Sequence, residues 1–241
     1  MTSASGAARF YRALAERKLV DRNGREMPGH LDDSATGSRR TVVVLHDFFG
    51  LTAHTRGVAR RLAGEGFIAF APDLYRGRTT ESREEAATLA QSIAWNQVAI
   101  ELGLIVEALK DRTRQGPVAV LGFAMGGAAA LVAAAAVPKL CAAITFYGIP
   151  QDVIIDNPRL RIQGHFAARD QKCTAARVAG LDRSLNANGV GHEFFSYPAD
   201  NGFCSPLRPD CHAPEHAEVA WSRAIAFLNS NVREQDNDDL R

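Results

Sequence analysis

The stretch VAVLGFAMGGAAALVAAAAV, residues 118–137, decides the fold. VAVLGF (118–123) is apolar without alternation, as a strand covered on both faces requires. AAALVAAAAV (128–137) is helix-forming, and glycines at 122, 126 and 127 separate the two. No charged residue occurs between Val118 and Pro138, a length that nominally spans a bilayer. A turn inside such a span would leave backbone groups unpaired in lipid, so a buried strand turning into a buried helix is the better reading. Working outward, the same alternation continues. TVVVLH (41–46), GFIAFAP (66–72), LCAAITFYG (140–148), RLRIQGHF (159–166) and HEFFSYP (192–198) read as strands. Helical patterns lie around Val58, Leu62 and Ala63, along 81–112, near 174–188, and over 214–229 with Trp221, Ile225 and Leu228 on one face. Buried strands alternating with helices imply an α/β protein: a doubly wound, mostly parallel sheet with helices on both faces. Residues 41–230 are expected to form that domain. Residues 1–40 are expected to form an N-terminal helix and hairpin packed on it, the helix near Arg9–Leu19 and a turn at Asp21–Gly24. Residues 231–241 are expected to be a frayed tail.

Composition narrows the function. Lys and Arg number 28 against 27 Asp and Glu, a net charge of +1 that lacks the basic surplus of a nucleic-acid protein. A hydrophobic content of 46% with 23% charged residues suits a packed globular domain. Cys141, Cys173, Cys204 and Cys211 form no CxxC pair. The N-terminus has no apolar core of signal-peptide type, so a cytoplasmic location is expected. Gly122–Gly127 lacks the Lys-Ser/Thr of a P-loop and the spacing of a dinucleotide fingerprint, and no cofactor is expected. His212 and His216 are four apart, but Pro214 should start the helix and leave His212 outside it, so no metal is expected. The partner expected is a small-molecule substrate or ligand, with no nucleic acid and no membrane, and a homodimer is left open.

The turn itself is specific. In an α/β hydrolase, the residue between strand and helix projects from a bend so tight that small residues are needed two positions on either side. The following backbone N–H then points at the developing oxyanion. Gly122 and Gly126 satisfy that requirement around Ala124, whose methyl group cannot attack a carbonyl.

From about Thr41 to Leu228 the chain resembles the dienelactone hydrolase family. VVVLHDFFGL (42–51) is similar to its first active-site segment, where a glutamate usually stands at the position of Asp47. APDLYRG (71–77), GFAMGG (122–127), FYG (146–148), HFAARD (165–170) and ADNGFCSPLRPD (199–210) follow in the family's order. The resemblance implies an α/β-hydrolase fold and a Cys–Asp–His triad falling on Ala124, Asp170 and Asn201, of which only Asp170 matches. It also implies oxyanion donors at the Met125 and Phe48 N–H groups, and capture of a substrate carboxylate by the loop bearing Tyr75, Arg76 and Arg78. An asparagine amide has no useful basicity at neutral pH.

Around that hole, Asp47 is a candidate general base or orienting carboxylate, or simply a cap. His46 is a candidate acid/base group or a non-catalytic strand-end histidine. Asp170 and Asp200, flanking Asn201, are candidate acid/base carboxylates, since two close carboxylates raise one apparent pKa. Tyr147 either lines the pocket or packs in the core, and Cys173 and Cys204 read as structural thiols. Three functions follow. One is non-covalent cyclisation, isomerisation, elimination or addition on a small carbonyl, lactone or polyketide-like compound held by the oxyanion hole. Another is an inert binding or regulatory homologue, its pocket refilled by Phe48, Phe49 or Phe203. The third is ester or lactone hydrolysis of carboxymethylenebutenolidase type, with an unrecognised nucleophile or direct water attack.

Overall fold

A computed structural model describes residues 18–35 and 37–234. The chain enters as a short hairpin, β1 (Leu19–Val20) and β2 (Glu26–Met27), paired antiparallel. Its turn is built by Asp21, whose Oδ1 accepts the N–H groups of Asn23 and Arg25 at 2.8 and 2.9 Å. The helix expected near Arg9 falls outside the described residues, apart from its last positions, where Leu19 opens β1. Residues 235–241 of the expected tail also lie outside them.

Seven strands form the main sheet: β3 (Gly29–Asp32), β4 (Thr41–Leu45), β5 (Ile68–Pro72), β6 (Val118–Phe123), β7 (Leu140–Phe146), β8 (Arg161–Ala167) and β9 (Gly191–Tyr197). Their spatial order is β3-β5-β4-β6-β7-β8-β9. All pairs are parallel except β3 with β5, which is antiparallel. β3 precedes the expected boundary at residue 40, yet it is an edge strand of the main sheet. Every residue of β4, β5 and β6 is buried, which explains their lack of polar alternation. β9 keeps only Tyr197 fully buried, as an edge strand should.

The helices divide between two faces. On one, α1 (Ala53–Gly64) and α6 (Pro214–Asn231) bury Val58, Leu62, Trp221 and Leu228 against the sheet. On the other, α3 (Trp95–Arg112), α4 (Met125–Ala136) and α5 (Ala175–Ala187) bury Leu102, Ile105, Leu131 and Leu181. This is the doubly wound architecture. The single helical pattern expected over 81–112 is two helices, α2 (Arg83–Gln91) and α3, meeting at 81°. Ser92 turns its hydroxyl onto the Leu89 carbonyl at 2.6 Å, and Ala94 is extended, so the chain restarts at Trp95. Among the described residues no single helix is long and apolar enough to cross a membrane, and the uncharged stretch at 118–137 is buried β6 followed by the largely buried α4.

The chain order reverses at β4. Its next strand, β5, lies on one side, and the following one, β6, on the other. The crevice beyond the carboxyl ends of strands at such a reversal is where open α/β sheets bind ligands.

Candidate functional site

Leu45 of β4 pairs with Gly122 of β6, so Asp47 and Ala124, each two residues further on, emerge side by side from the crevice. Ala124 has φ 49° and ψ −110°, outside the regions an L-residue ordinarily occupies. Such a backbone costs of order 1–3 kcal/mol and persists only where its surroundings impose it. They do so here through close packing. A Cβ on Gly122 would stand 2.0 Å from the Gly126 carbonyl oxygen, and one on Gly126 would stand 2.3 Å from that of Leu45. A Cβ on Gly148 would meet the carbonyl oxygen of Ala124 itself at 2.0 Å. The Ala124 N–H donates to the Phe146 carbonyl at 2.9 Å, and its carbonyl accepts from Ala128 at 3.0 Å. Met125 is the first residue of α4, so its N–H has no acceptor within the helix and faces the crevice with the positive end of the helix dipole. Phe48 lies in the turn closed by the Gly50 N–H on the Asp47 carbonyl at 3.3 Å, and among the described residues its own N–H has no backbone acceptor.

Beyond β8 and β9, Asp170 and Asn201 meet. The Asn201 Nδ2 donates to Asp170 Oδ2 at 2.7 Å and to the Tyr147 carbonyl at 3.3 Å. Asp170 is buried, and its Oδ1 accepts the N–H groups of Lys172 and Cys173 at 2.7 and 3.0 Å. Three donors thus fix this carboxylate and, through it, the asparagine.

Asp47 accepts the Phe49 N–H on Oδ1 at 2.9 Å. Burial raises its pKa, partly offset by that hydrogen bond and by the Arg208 guanidinium. It opens onto a cleft of about 870 Å³ that is also lined by Phe49, Thr80, Ser205 and Arg208. Arg208 lies within ADNGFCSPLRPD, but its place seven residues past Asn201 gives no sign that the loop folds back on Asp47. Sequence reasoning missed it.

Five expected site residues are diverted. His46 is fully buried, its Nδ1 2.6 Å from the Asp47 carbonyl and its Nε2 accepting from the Leu74 N–H at 3.3 Å. Burial lowers its pKa, and a neutral ring that donates from Nδ1 and accepts at Nε2, both with the backbone, has no nitrogen free for substrate. Asp200 opens the turn closed by the Phe203 N–H on its carbonyl at 3.2 Å, and its side chain goes to Arg169 rather than to Asp170. It forms an exposed pair with Arg169 (Nη2 to Oδ2, 2.9 Å), which lowers its pKa, so the expected carboxylate couple with Asp170 does not form. Arg76 turns to Glu101 of α3 at 2.8 Å. Arg78 lines a separate cleft with it, between the β5 loop and α3. Tyr147 is buried among Phe123, Phe146 and Phe203, which strongly raises its pKa, and it serves the site through its carbonyl rather than its hydroxyl. Tyr75 remains beside the hole. Its hydroxyl is within hydrogen-bonding reach of the Phe48 carbonyl and Met125 Sδ, both at 3.2 Å.

Cys204 packs partly buried against the core, and burial pushes its thiol far above the usual range. Burial also raises the Cys173 thiol, to about 11. Among the described residues no group of three or more His, Cys, Asp or Glu side chains could hold a metal ion.

Comparison with known proteins agrees with this fold. The chain is 29% identical over 220 residues to Protein usf of Aquifex pyrophilus, covering 86% of this chain and 95% of that one. It is also 29% identical over 233 residues to a Yersinia pestis protein provisionally named carboxymethylenebutenolidase, covering 88% and 86% of the two chains. A dienelactone hydrolase-like promiscuous phosphotriesterase from metagenomic libraries superposes with a TM-score of 0.77 at 22% identity, over 90% of this chain and 98% of that one. A Klebsiella pneumoniae structure, provisionally named a dienelactone hydrolase, gives 0.75 at 24% identity over 89% and 97%. Residues 29–232 match the sequence model of a single family, spanning the whole sheet from β3 and both sides of the crevice, and the chain belongs to the dienelactone hydrolase family.

Proposed function

We propose that this chain binds a small carbonyl compound in the crevice over Ala124 and transforms it without an acyl-enzyme intermediate, by cyclisation, isomerisation, elimination or addition. One observation carries the reading. The elbow keeps its strained apex and the Asp170 anchor keeps its partner at 2.7 Å, while the two reacting positions bear a methyl group and an amide. The Met125 and Phe48 N–H groups supply the stabilisation that remains. Such donors act on an enolate or a tetrahedral oxyanion whether or not a covalent bond to the protein forms. With its amino group committed to Asp170, Asn201 has its amide oxygen left to accept a hydrogen bond from substrate. Asp47, with its raised pKa, is the proton-transfer group, and Arg208, which lines the same cleft while also reaching exposed Asp210 at 3.2 Å, favours a substrate carrying negative charge.

The position of Asp47 also favours a second reading, hydrolysis by a water molecule that its carboxylate deprotonates. An inert homologue is less well supported. Phe203, one of the rings that would refill the pocket, packs against Tyr147 and Tyr197 in the core, and Phe49 lines an open cleft beside Asp47. Incubation with enol lactones, followed by intact-protein mass spectrometry and product analysis, separates the readings. Product with unchanged protein mass and no added water is expected. A stoichiometric acyl adduct overturns the proposal, and ring-opened acid without an adduct establishes water attack.

A further inference from the structure

A second cavity, of about 400 Å³, lies between α1 and α6. Its walls are mostly apolar, with Val58, Phe123, Phe146, Ala217 and Trp221 beside Cys204 and His212. The charged side chains at its edge neutralise each other. Arg61 pairs with Glu218 at 2.9 and 2.6 Å and stacks its guanidinium over Trp221. His54, also in the wall, is held neutral by burial, its pKa lowered to about 4. This chamber adjoins the cleft at Asp47. Ala53 lines both, and the loop 205–208 forms the partition, with Pro206 facing the chamber and Ser205, Leu207 and Arg208 facing the cleft. Phe123, in the apolar wall, immediately precedes Ala124 at the elbow.

One helical position makes the chamber roomier than packing demands. Gly57 sits in the first half of α1 and lines the cavity, and an added Cβ there would meet nothing within 4 Å. Glycine weakens a helix interior, and no close backbone approach requires it here. What its missing side chain provides is volume.

We propose that this chamber receives the apolar tail of the substrate whose carbonyl lies over Ala124 and whose anionic end lies near Arg208. The substrate class is thus an amphiphilic carbonyl acid with an aliphatic or aromatic extension. The assignment rests on the crevice being the ligand site, and not on whether catalysis is covalent.

The test is calorimetric titration with butanoate, hexanoate, octanoate and decanoate. In the wild-type chain, affinity should rise about three- to fourfold per added methylene as each is buried. Gly57→Leu fills the chamber without backbone strain. It should leave butanoate binding unchanged and abolish the gain with length, and Gly57→Ala should reduce that gain. Affinity that does not depend on length in the wild type overturns the proposal, and so does a gain that survives Gly57→Leu with an unaltered unfolding temperature. Ala124→Phe, which occupies the apex, should weaken every chain length. Undiminished decanoate binding in that variant would make the chamber a site of its own and refute a shared ligand. None of these outcomes bears on the mass-spectrometric search for an acyl adduct, so the two readings fail separately.

Discussion

Restoring a nucleophile and a base to positions 124 and 201 should turn this chain into an esterase. The elbow already imposes φ 49° and ψ −110° on residue 124, so cysteine there needs no new backbone strain. Asp170 already accepts a hydrogen bond from residue 201 at 2.7 Å, the contact that would orient an imidazole. In serine hydrolases a complete triad is worth roughly a millionfold, beyond the 10³–10⁴ retained by hole and binding. Part of that is forfeited here. A histidine loses the second contact that Asn201 makes, to the Tyr147 carbonyl at 3.3 Å, and its ring must fit a space shaped around an amide. An increase of at least ~100-fold, about 2.7 kcal/mol of barrier, is expected for Ala124→Cys/Asn201→His over wild type. Each single variant should gain less than ~10-fold, because nucleophile and base act as a unit. The assay is p-nitrophenyl acetate hydrolysis, with the acyl-cysteine followed by mass spectrometry. A folded double variant whose thiol reacts with iodoacetamide but hydrolyses no faster than wild type would refute the retained geometry.

Other outcomes follow from the same structure. Gly122→Ala forces its Cβ to within 2.0 Å of a backbone carbonyl and should destabilise the fold by about 3 kcal/mol or more, read by denaturant unfolding. Asp170→Ala strips the acceptor from three donors, the N–H groups of Lys172 and Cys173 and the amide of Asn201, and should cost about 2–4 kcal/mol in the same measurement. Burial lowers the His165 pKa from 6.5 to about 3, so the unfolded chain binds the extra proton between those values. Its contribution to stability is therefore complete above pH 6.5 and lost as pH falls through 3, and His165→Gln should flatten that part of the stability–pH curve. Arg208→Ala should weaken binding of a short carboxylate about fivefold, its guanidinium facing the cleft while shared with exposed Asp210 at 3.2 Å. Arg76→Ala, whose guanidinium belongs to Glu101, should leave it within twofold, both read by calorimetry.

The sheet and the elbow were legible because their requirements are local. Buried strands must be apolar throughout, and a bend this tight admits only glycine at 122 and 126, so both leave marks in short stretches of sequence. The alignment of Asn201 with Asp170 came from the order of family segments, and the 2.7 Å bond agrees with it. What could not be read is where each polar side chain turns. Asp200 and Asn201 are neighbours with similar side chains, and only the path of the chain after β9 sends one to Arg169 and the other to Asp170. Arg76 looked free until α3 placed Glu101 opposite it, and the burial of His46 depends on the Leu74 N–H from another strand's loop. The break at 92–94 rests on a serine hydroxyl choosing a backbone acceptor, for which the apolar periodicity has no signature. β3 escaped notice because four residues, GHLD, carry too little pattern to stand out.

The torsion at residue 124 is dictated from outside, by glycines 122, 126 and 148 and by the Phe146 carbonyl, and owes nothing to the methyl group it carries. The position therefore behaves as a socket. Any unbranched side chain placed there inherits the same aim toward the Met125 amide at nearly the same conformational cost. Serine, cysteine, aspartate or a synthetic amino acid can be exchanged as interchangeable warheads on a mount that does not move, and differences in their rates would then report intrinsic reactivity with positioning held constant.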